Sequence, residues 1–197
     1  MSGTALSKTF RLTFTALFIA LVLFLGLTPF GLIPLGFINV TLLCVPVAVG
    51  CVLLGLKTGL CLGLCFGLVS LLSALGLSGV PASALAGALV ARSPLLAALM
   101  CFVPRLLVPL AVWGVYQAMS RGGRSAKAAA VAAVTGSVVN TVGYLGLMLL
   151  FYGITGLDSQ AVLAAIGGTG LIAGGAEAVV AGVLSAPILS ALWKIRA

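Results

Sequence analysis

The sequence predicts an all-α integral membrane protein with six transmembrane helices and both termini in the cytoplasm. Three observations carry this. Of 197 residues, 62% are hydrophobic and only 6% charged, with a mean hydropathy of +1.37, whereas a soluble domain carries about 25% charged residues. Ten Lys and Arg with two acidic residues cannot clothe a water-facing surface of this size. The apolar residues also fall into runs approaching the ~20 residues that cross a bilayer. Finally, the basic residues sit singly at the ends of those runs, where they set topology, and this scattering excludes a nucleic-acid footprint.

The helices are expected at 12–27, 40–56, 59–75, 104–119, 128–152 and 169–193, in one membrane domain covering 1–197. Residues 1–11 are polar and basic and lead into the uncharged run 12–27. That run has the length of a signal-peptide core. No small-x-small cleavage site follows it, and the chain proceeds through Thr28-Pro29-Phe30-Gly31 to further apolar runs, so it reads as the first span. Pro29, Gly31, Pro34 and Gly36 make 28–39 a loop. The second span, 40–56, tolerates Pro46 as a kink and ends at Lys57. The third occupies 59–75. Residues 76–94, rich in Gly, Ser, Ala and Pro, form a long connection with room for a short amphipathic or re-entrant piece.

In the run 95–119, uncharged except for Arg105, Pro104 suits the first position of a helix. A helix 104–119 would be about 24 Å long at ~1.5 Å per residue and would hold Arg105 in its first turn, near one membrane face. Residues 121–127 are the most basic link, and 128–152 is the fifth span. A loop with Asp158 precedes the sixth, which Gly167-Gly168-Thr169-Gly170 interrupts and Lys194 and Arg196 close. With the N-terminus inside, Lys8, Arg11, Lys57, Arg121, Arg124, Lys127, Lys194 and Arg196 are cytoplasmic, while Arg92, Arg105 and Asp158 fall in the outer half.

Small residues recur every four positions at Gly55, Gly59, Gly63 and Gly67, and at Gly170, Gly174, Ala178, Gly182 and Ala186. Such ridges let helices approach closely where lipid removes the hydrophobic drive to associate, and packing within the bundle is the expected use. Ala16 and Ala20 repeat the spacing on the first helix. Cys44, Cys51, Cys61, Cys65 and Cys101 all lie in apolar segments, so they read as small hydrophobes, with no disulfide framework and no metal site.

Chemistry rests on few residues. Arg105 does not lose its proton, so at membrane depth it needs water, a carboxylate or an anionic ligand. Asn140, Thr141 and Tyr144 lie on helix five, Asn140 and Tyr144 sharing a face at i, i+4, and Glu177 lies on helix six. Glu177 either neutralises Arg105 or caps backbone groups, or these residues together line a polar cavity open to the outside. Asn140 and Tyr144 alternatively serve as hydrogen-bonding glue between helices. Asp158 is expected to be solvated. With no His, no neighbouring carboxylates, no phosphate-binding loop and no metal-ligand cluster, an enzyme is not indicated.

Thr28-Pro29-Phe30-Gly31-Leu32-Ile33-Pro34-Leu35-Gly36-Phe37-Ile38-Asn39-Val40-Thr41-Leu42, Val45-Pro46-Val47-Ala48-Val49-Gly50 and Leu53-Leu54-Gly55-Leu56-Lys57-Thr58-Gly59 resemble the substrate-binding S components of energy-coupling-factor (ECF) vitamin transporters. So do Pro104-Arg105, Asn140-Thr141 and Glu177. No single motif is specific, but their order over nearly the whole chain is. The resemblance implies a subunit of a bacterial cell-membrane ABC importer that binds a vitamin or precursor from outside, in a pocket under the first and third loops, between the outer halves of helices four to six. It also implies delivery through a transmembrane coupling subunit driven by two separate ATPases, so that ATP is used by the partners and no cofactor is bound here. Ala16 and Ala20 match the family's contact with the coupling subunit. The chain departs at Cys44, where relatives often carry His, and at Leu56, where Pro is common. The pattern is most similar to the pantothenate-type branch, a small carboxylate suiting one Arg. Riboflavin, folate and pyridoxine or thiamine precursors stay open, since such scaffolds differ in pocket residues. Outside this family, a stand-alone proton-coupled secondary transporter using Glu177 and a scaffold without ligand remain the alternatives.

Overall fold

The computed structural model describes residues 8–34, 38–121 and 123–195. Arg196, one of the expected cytoplasmic cations, and Leu35-Gly36-Phe37 of the family-like stretch lie outside the described residues, as do both chain ends. The fold is all-α apart from one small hairpin. Helix α1 (Lys8–Leu27) leads into strands β1 (Leu32–Pro34) and β2 (Asn39–Thr41), then α2 (Cys44–Leu54), α3 (Leu56–Ala74), α4 (Ala84–Arg92), α5 (Pro94–Ser120) and α6 (Ala126–Thr155). Helix α7 (Ser159–Ala165) continues through a π-helical segment (Ile166–Gly170) into α8 (Leu171–Ile195). Five helices, α1, α3, α5, α6 and α8, have the length and apolarity to cross a membrane.

The expected second helix at 40–56 is shorter than the sequence suggests. Helix α2 has 11 residues, about 16 Å at ~1.5 Å per residue, half of the ~30 Å hydrocarbon core. What precedes it is sheet: β2 pairs antiparallel with β1, Leu32 opposite Thr41 and Pro34 opposite Asn39. The segment expected as a loop, 28–39, thus holds half of a hairpin, and the start of the expected helix holds the other half. Pro46 does not kink α2, because it is the third residue, where a backbone N–H would have no helical partner anyway. Gly55 closes α2 and opens α3 at φ 99° and ψ 170°, a conformation open to glycine alone. The break therefore falls two residues before Lys57.

Helix four is also corrected. It begins at Pro94 and runs 27 residues, with Pro104 and Pro109 both inside it. Pro94 occupies the favoured first position. Pro104 is tolerated because the carbonyl it leaves unbonded, four residues back at Met100, accepts a hydrogen bond from Arg105 Nη1 at 3.2 Å. Pro109 likewise frees the Arg105 carbonyl. Arg105 is hence not in a first turn but eleven residues into a helix about 40 Å long.

The connection 76–94 contains α4, capped by Ser83, whose side chain accepts from Ala86 N. Tyr152 on α6 holds it by donating to Leu85 O at 2.6 Å. The Gly167–Gly170 stretch widens the helix into a π turn rather than interrupting it. Apart from Gly55, where a Cβ would meet nothing within 4 Å, the glycine ridges pack against neighbouring helices: a Cβ at Gly63 would lie 2.6 Å from the Arg105 carbonyl, and one at Gly174 2.6 Å from Thr141 Cγ2.

At one end of the bundle Arg11 donates to Leu54 O at 3.4 Å and Arg124 to Trp193 O at 3.0 Å, joining the ends of α2 and α8 to basic side chains. At the other end Gly79 N bonds Leu27 O and Arg92 bonds Thr155 O. The apolar interior falls into two clusters. One, built on Phe18, Leu43, Leu62, Phe66, Val108 and Ala133, fills the basic end. The second, with Leu89, Met100, Leu145, Met148 and Val162, fills the other. On α5 and α6, Arg105 and Asn140 lie between residues of the two.

Candidate functional site

The polar residues of the long helices meet in the layer between the two clusters. Arg105, Asn140, Thr141, Tyr144 and Glu177 line one cavity, together with Asn39 and Thr41 of the hairpin. All five residues singled out from the sequence are thereby brought together. Arg105, Asn140 and Glu177 are buried, with 5%, 3% and 8% of their surface exposed.

Arg105 is held on three sides. Its guanidinium carbon stands 4.4 Å from the Tyr144 ring centroid and 5.2 Å from that of Phe66, within the range of cation–π attraction. The Met100 carbonyl takes one nitrogen. Nε is buried and makes no hydrogen bond among the described residues. The side chain is therefore aimed by its own helix and by α3 and α6 without its donor capacity being used up.

Glu177 is fixed differently. Its Oε1 accepts from the backbone N–H of Thr41, the last residue of β2, and the Thr141 hydroxyl lies beside the same carboxylate. Thr41 Oγ1 in turn accepts from Leu43 N. A carboxylate on α8 thus pins the inner strand of the hairpin, which explains how irregular backbone is tolerated here: it lines a cavity and its polar groups are bonded.

Arg105 and Glu177 form no ion pair with each other, nor does either with any other described residue. Their charges still attract across the cavity, which weakens the need for a counter-ion without removing it. Asn140 Oδ1 and Asn39 Oδ1 are further buried atoms with no partner among the described residues. Such orphans are costly when left unbonded, and those of Arg105, Asn140 and Asn39 border the same cavity. Among the described residues, no cluster of His, Cys, Asp or Glu is suited to a metal ion.

Several residues around Arg105 escaped the sequence reading. Asn39 and Thr41 sat in a stretch divided between loop and helix; their alternation after a Pro- and Gly-rich turn is a strand signal. Ser70, Ser73 and Phe66 on α3 look like ordinary span residues, and only the fold turns them toward Arg105. Ala16 and Ala20 lie away from this site, exposed on α1 beside Leu17, Leu21 and Phe24. Asp158 caps α7, its Oδ1 accepting from Gln160 N.

A family model described as ECF transporter, substrate-specific component, matches residues 10–189. No curated protein matches the chain.

Proposed function

Because the chain belongs to the substrate-specific components of ECF transporters, we propose that its central cavity captures a water-soluble vitamin or precursor, pantothenate being favoured. The family implies an assembly with a coupling subunit and ATPase subunits, so the chain is a transport subunit rather than an enzyme. In this reading the basic end of the bundle and both termini face the cytoplasm of a bacterium, and cargo enters from the opposite side. Two ATPases use the ATP. Ala16 and Ala20 provide a close seat for the coupling subunit.

The observation that supports ligand capture is the state of Arg105. It is buried and stacked in place, yet it has no carboxylate partner and a free Nε. A carboxylate or carbonyl oxygen from a ligand supplies the missing acceptor, and a charge-assisted bond of this kind is about twice as strong as a neutral one. Asn140 is placed for an amide or hydroxyl, and Glu177 for a donor.

Purification in detergent followed by mass spectrometry of the released small molecules tests this directly. A single vitamin at near-stoichiometric amount is the expected result, and a wild-type protein that carries nothing and binds no vitamin sinks the reading. One observation favours a second mechanism: Glu177 bears no cation, as a proton-coupling carboxylate would require between cycles. Accumulation of solute by proteoliposomes holding this chain alone, under a proton gradient, would establish that alternative.

A further inference from the structure

A second cavity adjoins the first. Arg105, Tyr144, Asn39 and Thr41 belong to the walls of both. The remaining wall comes from α3, β1 and α4, elements that contribute nothing else to the first cavity. Its distinctive groups are three hydroxyls, Ser70 and Ser73 one turn apart on α3 and Ser83 at the cap of α4.

A void left by imperfect packing in a membrane protein is expected to be apolar and dry. This one is lined by polar groups, three serine hydroxyls and Arg105 among them. The Ser70 hydroxyl bonds nothing among the described residues although the residue is buried. Ser73 Oγ accepts only a long bond, 3.4 Å, from Asn39 Nδ2, and so keeps its own proton to donate. Asn39 Oδ1 is buried without a donor. Serines in apolar helices commonly satisfy themselves on the carbonyl four residues back, and Ser190 does so here on Ala186 O at 2.8 Å. Ser70 and Ser73 do not; Ser137 and Ser185 are also unbonded among the described residues, but Ser70 and Ser73 border a cavity that Arg105 lines.

We infer that this second chamber is part of the ligand site and receives a neutral arm bearing hydroxyl or amide groups, while Arg105 holds an acceptor group at the junction. The charge of the walls selects that class. Among the described residues Arg105 is the sole charged residue lining the chamber, so a second anionic group would lack a cation and a cationic group would lack a carboxylate. The Glu177 side of the junction takes the donor-bearing end. The ligand is consequently two-ended, and Arg105 recognises its middle or the root of its arm. This inference rests on the ligand-binding reading of the first cavity.

Isothermal titration of the purified full chain with pantothenate, riboflavin, folate, thiamine and pyridoxine identifies the tightest probe; a compound extracted from the protein replaces it if none binds. Ser70→Leu, which fills the chamber, is expected to weaken that probe at least tenfold. The Ser70→Ala/Ser73→Ala pair, which removes only hydroxyls and keeps the fold testable if Leu is not accommodated, is expected to weaken it about tenfold. Arg105→Ala serves as the control for the first cavity. Affinity within twofold of wild type in the Ser variants, with loss in Arg105→Ala, would mean the chamber holds only water; the inference would fall and the proposed function would stand. A wild-type protein with no binder among the probes and no extracted compound would overturn both.

Discussion

Arg105 and Glu177 face the same cavity from α5 and α8 without forming an ion pair: one rests on Met100 O and two aromatic rings, the other on the Thr41 backbone. Separate anchoring of opposite charges leaves each with unused bonding capacity directed at the space between them. A contact pair would have closed that space.

Arg105→Ala should lower vitamin affinity at least tenfold, about 1.4 kcal/mol, while the protein is still expressed and monodisperse. Arg105→Lys should recover little, because an ammonium lacks the planar face that stacks between Phe66 and Tyr144 and the fork that meets a carboxylate. Equilibrium binding on both variants checks this, and wild-type affinity in Arg105→Ala removes the residue from the site.

Glu177 has a structural duty that its amide can share. Glu177→Gln keeps an oxygen for the Thr41 N–H and should unfold near the wild-type temperature. Glu177→Ala orphans a buried donor and should lose about 1–3 kcal/mol of stability. Thermal unfolding in detergent distinguishes the two, and equal midpoints would show that the hairpin does not depend on this bond.

The α3 ridge meets α5 at the carbonyl that Pro109 leaves without a helical partner. Gly63→Ala places a Cβ against the Arg105 carbonyl and should cost about 1–3 kcal/mol, with a parallel drop in binding as Arg105 shifts. Gly87→Ala on α4, where a Cβ meets nothing within 4 Å, should be neutral or stabilising by about 0.5–1 kcal/mol. Similar behaviour of the two variants in one unfolding assay would contradict the packing account.

Ala16 and Ala20 lie exposed on α1. Ala16→Trp or Ala20→Trp should leave vitamin binding unchanged and abolish uptake in cells that supply the coupling and ATPase subunits. Reduced binding by the purified variant would instead place that face within the fold.

Tyr152→Phe deletes the bond to Leu85 O that ties α4 to α6. A loss of about 1 kcal/mol and faster backbone hydrogen exchange across 84–92 are expected; unchanged exchange there would mean that apolar packing alone holds α4.

Composition and run length were enough to assign the membrane class and five of the spans, because burial in lipid demands continuous apolar helix whatever the neighbours are. The scarcity of polar residues in those runs also made Arg105, Asn140, Thr141, Tyr144 and Glu177 stand out before any fold was known. The placement of Arg105 was less legible. Pro104 reads as a helix start by local rules, yet the helix continues through it because the arginine side chain bonds the carbonyl that proline abandons.

Residues 39–41 were undecidable locally for a related reason. Their choice of strand over helix is reinforced by Glu177, 136 positions away, and no local window contains that bond. Ser70 and Ser73 are silent in the sequence, since a hydroxyl in an apolar helix has the helix's own carbonyls as an alternative partner. Whether a polar side chain in lipid bonds its own helix or lines a chamber depends on what is packed opposite, and here that is set by the meeting of α3, α4, α5 and the hairpin around Arg105.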